Sequence, residues 1–535
     1  MDNEQKKIES RKQRVKLWLK NPYNLGILLI VLASFILRIY LNSKAAGSTL
    51  WWDEAEYMST SKHWAFGVPY DLNSQRPPLF QLLGALLLKL GFSEYALQFL
   101  LVLVPSTLLI LFIYLLAKEM FNEKIGIISS IGTGLIWSYL FWSTRFQPDF
   151  LSLDFQILGL LFFWKLLKNN NYRYAILTGL FSALGFYFKI TALLIPLFMA
   201  IYAFYKDGFS LFKNKFYWTA ALSFVISFIP FMMWQYYAFG SPLAFAPSYA
   251  SSNAREGREL GWMTLSYYYI FPKILFFALF AIGALYFIFK FVLTLDIQIK
   301  ERKNRLNPEL FAAIILIITA AYFIFFTKGT IEDRWVFIIA PFIMIFSAQG
   351  TVLIEKFLKK FNKNISILII IIFIGFLTYY QVQHAGALIE AKKTTYEPVK
   401  EASLYIKENS NPDESVLSVS YTQTTTYSER RVYTYAKMDK ENFTKLLEEK
   451  KPSYIMVSIL EPHHPNWIIN QGYSQDGKWM LNMEYFNSSM VAYNNQVLSY
   501  DIKASIDKGP YKFDVVYPTS NQFSGLFVYK ITYKS

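Results

Sequence analysis

Apolar runs of roughly the ~20 residues needed to span a bilayer recur along this chain, and the short stretches between them alternate between strongly basic and mixed charge. The first run covers 23–41 (YNLGILLIVLASFILRIYL), and others lie near 95–117, 125–142, 150–167, 174–190, 191–205, 216–236, 266–290, 310–326, 335–350 and 364–383. The pattern predicts about eleven transmembrane helices. Segment 1–22, before the first run, carries Lys6, Lys7, Arg11, Lys12, Arg14, Lys16 and Lys20 and reads as a cytoplasmic tail followed by a signal-anchor. Every second loop after it is basic: Lys118/Lys124, Lys165/Lys168/Arg173, Lys206/Lys213/Lys215, Lys290 to Arg305, and Lys356/Lys359/Lys360/Lys363. A missed or extra span would put these clusters on the wrong side, so the alternation checks the count.

The run 77–92 (PPLFQLLGALLLKLGF) is too short to span without reversing that alternation, and is expected to be an interfacial helix. The remaining loops then share the outer side. They are 42–94 with an acidic cluster and Arg76, 143–149 with Arg145 and Asp149, the turn at Lys189, 237–265 with Arg255 and Arg258, and 327–334 with Lys328, Glu332, Asp333 and Arg334. Hydropathy falls near residue 385, and 385–535 is expected to be an extracytoplasmic α/β domain. Helical period appears at 397–408 and 440–451, and strand character at 415–420, 453–459 and 525–533. The expected organisation is a tail (1–22), a transmembrane domain (23–384) containing the first outer loop 42–94, and a soluble domain (385–535).

Composition agrees with a polytopic membrane protein: 54% of residues are hydrophobic and 19% aromatic, with mean hydropathy +0.26. The net charge of +15 is spread over short loops, so membrane orientation explains it better than a nucleic-acid partner. The absence of cysteine excludes disulfides, thiolate metal sites and thiol catalysis.

The chemistry gathers on the outer side, beginning with Trp51-Trp52-Asp53-Glu54-Ala55-Glu56-Tyr57. These carboxylates suit helix capping beside interfacial tryptophans. They equally suit a site in which one carboxylate is general base for an acceptor hydroxyl and a neighbour positions substrate, Glu56 and Tyr57 lying close by. Arg76 heads Arg76-Pro77-Pro78-Leu79, where a guanidinium at a helix start matches phosphate oxygens, or snorkels at the interface. Lys189 sits between apolar segments, where an ammonium is costly and marks a functional site or a snorkelling loop residue. Asp149 caps its helix or serves the site. Arg255 and Arg258 suit a phosphate or a solvated helix face, and Arg334 suits pairing with Glu332 and Asp333. Four histidines, His63, His384 and the adjacent His463-His464, are too sparse for a metal cage; no obligatory metal is predicted, although His63 with carboxylates suits a weakly held divalent ion.

Over residues 25–350 the chain resembles the polyprenyl-phosphate-dependent glycosyltransferases of the GT-C superfold, in the protein O-mannosyltransferase and aminoarabinose-transferase branch. The resemblance rests on WWDEAEY in the first outer loop, RPPLF where the family often has Lys-Pro-Pro-Leu or His-Pro-Pro-Leu, FQPDF in the second, GLFSALGFYFKITALLIP with its lysine, and DRWVFIIAPF. It implies an inverting transfer of one sugar from a dolichyl- or undecaprenyl-phosphate carrier to a hydroxyl of a protein, lipid or glycan. Asp53 would be the base, Glu54 a positioning carboxylate, and Arg76, Lys189, Arg255, Arg258 and Arg334 donor ligands, with Asp149, Glu56 and Tyr57 lining the cavity. Gln98 departs from the arginine usual in relatives. Trp51-Trp52-Asp53 also resembles the oligosaccharyltransferase signature WWDYG without its Tyr-Gly, a likeness read as coincidental. Transfer of a whole oligosaccharide is a minor alternative. A transporter or flippase is the rival of another class, though charges at the outer rim and the lack of repeated halves disfavour it. The expected location is a prokaryotic plasma membrane.

Overall fold

The computed structural model describes residues 18, 20–248, 274–301, 306–325, 332–458, 474–475, 478–483, 488–493, 496–501, 505–518 and 526–534. The chain divides into two compact units. One comprises Met1–Ala46, Asn73–Phe80 and Tyr95–Ala391; the other comprises Gly47–Leu72, Gln81–Glu94 and Lys392–Ser535. Most of the segment 42–94 thus groups with the polar C-terminal region.

The first unit is helical. Seven described helices are long and apolar enough to cross a membrane: Pro22–Ala45, Glu94–Met120, Asp149–Asn169, Ile190–Lys213, Lys215–Phe239, Ile339–Leu358 and Lys363–Lys392. Shorter or interrupted helices stand at the other expected spans, namely Glu123–Leu135 with Trp137–Trp142, Tyr172–Phe188, Ile274–Leu293 and Pro308–Phe325. The protein is a polytopic helical membrane protein. Exposed apolar side chains such as Leu222, Val225, Ile226 and Ile229 on one helix, and Leu368, Ile371 and Ile372 on another, give it the outer surface that hydrocarbon requires.

Local chemistry explains several of these elements. Asn21 starts the first span by accepting the Tyr23 N–H at 2.9 Å, with Pro22 in the first helical turn. In Glu94–Met120 a π-helical turn, Phe99–Leu103, lies just before Pro105, where the missing N–H and the ring disturb regular α pairing. The run 125–142, expected as one helix, breaks at Ile136. The Gln381 side chain accepts the Trp137 N–H at 2.9 Å and satisfies a backbone donor freed by the break. Helices Ile274–Leu293 and Ile339–Leu358 approach so closely that a Cβ on Gly283 would collide with the Phe346 carbonyl oxygen. Leu79–Lys89 is an 11-residue helix with Leu82 and Leu86 exposed at i, i+4 spacing, an apolar stripe of the kind an interfacial helix presents.

The second unit carries a six-stranded mixed sheet in the order β2-β1-β3-β10-β9-β8. Its strands are β1 Ser415–Leu417, β2 Arg431–Tyr433, β3 Tyr454–Ser458, β8 Ser505–Lys508, β9 Tyr511–Tyr517 and β10 Leu526–Tyr533. Strands β1, β2 and β3 are parallel and the rest antiparallel. Alternation along β3 buries Ile455 and Val457 with Phe443, Leu447 and Phe527, and Tyr454 and Met456 with Val399, Ala402 and Ile406. Helices Glu397–Asn409 and Lys440–Lys450 thereby supply the two apolar layers. A separate antiparallel sheet, β4-β5-β6-β7, occupies Ser474–Gln475, Lys478–Met483, Ser488–Tyr493 and Gln496–Asp501. The expected strand 415–420 is shorter than predicted, and an unpredicted helix, Tyr421–Ser428, follows it.

Candidate functional site

Three sequence candidates converge in the membrane unit. Asp149 opens its helix after Pro148, Lys189 ends the helix Tyr172–Phe188, and Arg334 lies in a short 3-10 turn before Ile339–Leu358. The Lys189 ammonium pairs with Asp149 and donates to the Arg334 carbonyl at 3.3 Å. The Arg334 guanidinium lies 3.8 Å from Asp149, pairs with Glu332, donates to Gln147 Oε1 at 2.7 Å and covers the Trp142 ring at 5.0 Å. Two of the three Lys189 N–H groups are thus used, and its side chain keeps some exposure while Asp149 is buried.

Next to it, the Trp142 indole N–H donates to both Asp333 carboxylate oxygens at 2.9 and 3.0 Å, and Ser138 donates to Asp333 as well. Burial pushes the Asp333 carboxyl up to about 6, outweighing the Ser138 and Trp142 hydrogen bonds. Sequence reasoning missed Gln147, Trp142 and Ser138 as members of this cluster. Gln147 was visible only as the neighbour of Asp149 in FQPDF. Gln98 donates to Asn42 Oδ1 at 2.9 Å and to the Thr144 carbonyl, so an amide ties this loop to the first span. Arg76 is half-buried in the same unit, after a turn in which Asn73 Oδ1 accepts the Gln75 N–H at 2.9 Å and before the buried Pro77 and Pro78.

In the second unit, Asp53, Glu54, Glu56 and Tyr57 all lie on the helix Trp52–Phe66. Glu54, 1% exposed, turns back and accepts the Trp51 N–H at 2.9 Å, closing the helix start. Asp53, one residue earlier, is half-buried, and Glu56 and Tyr57 are buried. The capping expected of this acidic cluster thus falls to Glu54. The helix ends at Gly67, whose φ of 78° admits the left-handed turn that donates its N–H to the His63 carbonyl at 2.9 Å. His63 Nδ1 is hydrogen-bonded to the Val68 carbonyl at 2.8 Å. Farther along, Lys62 pairs with Glu94 at 2.8 Å and Glu429 at 3.2 Å. Burial opposes the Lys62 charge, but the two carboxylates outweigh it and raise its pKa; burial likewise opposes the Glu429 charge, but Lys407 and Lys62 hold it below the usual carboxylate range. Arg255 and Arg258 lie outside the described residues, as do Lys328 and His463-His464.

Residues 75–234 match the family model of dolichyl-phosphate-mannose-protein mannosyltransferases. The apo oligosaccharyltransferase of Archaeoglobus fulgidus superposes with a TM-score of 0.60 at 14% identity, covering 83% of this chain and 70% of that one. ArnT from Cupriavidus metallidurans, solved bound to undecaprenyl phosphate, gives 0.59 at 11% identity over 81% of this chain and 93% of its own. The Archaeoglobus fulgidus enzyme AglB, in complex with an inhibitory peptide and a dolichol-phosphate, gives 0.58 at 14% identity, covering 83% and 70%. No curated protein matches by sequence. The fold is that of the GT-C glycosyltransferases, as the motifs implied.

Proposed function

We propose that this protein is a membrane glycosyltransferase that moves one sugar from a polyprenyl-phosphate carrier to an acceptor hydroxyl on the outer face of the plasma membrane, with inversion at the anomeric carbon. The observation that carries the reading is the commitment of Glu54 to its own helix start, where it accepts the Trp51 N–H; we assign proton removal to the adjacent Asp53. The family match over 75–234 supports the class, and the undecaprenyl phosphate and dolichol-phosphate bound to ArnT and AglB support the kind of donor.

In this reading Asp53 removes the hydroxyl proton as the acceptor oxygen attacks the anomeric carbon, and the bond from that carbon to the phosphate oxygen breaks with its electron pair leaving on the lipid phosphate. Negative charge develops there, so positive groups accelerate the step. Arg76 serves with its guanidinium fork and Lys189 with its remaining N–H. Arg334 holds Asp149 and Lys189 in place, and Arg255 and Arg258 complete the donor site. Asp149, Glu56 and Tyr57 are assigned roles toward the acceptor. One displacement inverts the anomeric centre. The acceptor is a protein, lipid or glycan, and no metal is needed by this scheme.

The test is transfer from labelled polyprenyl-phosphate sugars by the purified protein, with a membrane extract supplying acceptors. A labelled product of opposite anomeric configuration is expected. Retained configuration would overturn the single displacement, and absence of transfer from every donor would overturn the class.

A further inference from the structure

The helix that carries Asp53 is gripped along one side by the polar C-terminal region. Trp52 donates its indole N–H to the Tyr396 hydroxyl at 3.1 Å and meets the Tyr421 ring edge-on at 5.6 Å. One turn on, the Ala55 carbonyl accepts from Thr426 Oγ1 at 2.9 Å; the Ser59 hydroxyl lies 2.6 Å from the same oxygen, and Lys62 donates to the Thr426 carbonyl at 2.9 Å. Positions 52, 55, 59 and 62 form one stripe at helical spacing. Asp53, ~100° round the helix from Trp52, falls away from that stripe.

Two of the gripping residues stand in an unfavourable backbone conformation. Tyr396 has φ 62° and Glu429 has φ 56°, the left-handed region in which a side chain costs about 1 kcal/mol or more and glycine is the usual choice. Tyr396 precedes the helix Glu397–Asn409, and Glu429 follows Tyr421–Ser428. Both side chains reach the Asp53 helix, one at Trp52 and the other at Lys62. Arg430 fixes the chain beside Glu429, donating to Ser410 Oγ at 2.9 Å and to the Ser410 and Lys407 carbonyls at 2.8 and 3.0 Å. Backbone strain persists where surrounding structure and use of the side chain hold it.

We propose that the C-terminal region is a splint for the catalytic helix and that Lys62, held by Glu429 and Thr426, is a positioning residue that sets the orientation of Asp53. The inference rests on the glycosyltransferase reading for its consequence, and on the grip itself for its structure. A base misplaced by about 1 Å loses on the order of 100-fold in rate without loss of substrate binding.

The experiment compares Lys62→Met, Lys62→Arg and Glu429→Gln in the full chain, reading kcat, donor KM and amide hydrogen exchange over residues 52–57 and 454–458. Lys62→Met is expected to lower kcat roughly 10- to 100-fold with donor KM unchanged, to speed exchange at 52–57, and to leave 454–458 in β3 protected. Lys62→Arg should restore most of the rate, and Glu429→Gln should show the same pattern more weakly, keeping the test intact if Lys62→Met fails to fold. Wild-type kcat in both Lys62→Met and Glu429→Gln, or unchanged exchange at 52–57, would overturn the splint. If wild type transfers no sugar, the enzyme reading fails separately, and faster exchange at 52–57 alone then decides for the grip.

Discussion

Two places where this chain gathers charge handle it in opposite ways. In the membrane unit, Asp149, Lys189 and Arg334 come from three distant parts of the sequence and meet as partners. On the helix Trp52–Phe66, Asp53 and Glu54 are neighbours in sequence and turn apart, Glu54 reaching back to accept the Trp51 N–H and cap the helix. The first arrangement follows from the cost of charge in low dielectric, which is met only by pairing. The second follows from helical geometry, which turns adjacent side chains about 100° apart. Proximity along the chain therefore says little about shared function here, and convergence across it says more.

The sharpest way to break the comparison is Lys189→Met, which leaves the buried Asp149 carboxylate without its nearest cation. A loss of about 3 kcal/mol in stability is expected, largely recovered by adding Asp149→Asn, both read from thermal unfolding in detergent. Equal stability of Lys189→Met and wild type would show that the cluster is not a matched set.

A smaller effect belongs to Asp333. Its folded carboxyl titrates near 6, above its ordinary value, so the folded state binds more protons than the unfolded one between about pH 4 and 6, and stability falls as pH rises through that window. The expected loss is on the order of 1–3 kcal/mol, and Asp333→Asn should flatten the dependence in a pH series of melting temperatures. The smallest effect is expected at Asp71, whose exposed carboxylate pairs with Arg431 at 2.8 Å. Asp71→Ala should change stability by less than about 1 kcal/mol, because solvent screens such a pair.

Much of this was legible in the sequence because membrane physics leaves few choices. The apolar runs follow from hydropathy, and the alternation of loop charge groups Asp149, Lys189 and Arg334 on one expected side of the membrane. The break at Ile136 was not legible, since it depends on Gln381, whose amide accepts the Trp137 N–H from far along the chain. The helix Tyr421–Ser428 was hidden because its threonines favour strands in isolation. Tertiary contacts override that preference; Thr424 donates to Ser418 Oγ at 2.9 Å, and Thr426 to the Ala55 carbonyl. The role of Glu54 is half visible, since the acidic cluster suits capping but its spacing alone does not say which carboxylate turns back to Trp51. The grouping of residues 47–72 with the polar domain had no sequence signal, because it is carried by single side chains such as Lys62 and Tyr396.

The most direct measurement pairs Asp53→Asn with Glu54→Gln and reads sugar transfer and thermal stability for each. Asp53→Asn is expected to keep its fold and lose transfer by about 100-fold or more, while Glu54→Gln retains transfer and loses about 1 kcal/mol or less of stability through its weakened cap. Full transfer by Asp53→Asn, or loss of transfer confined to a stably folded Glu54→Gln, would contradict the assignment of the base.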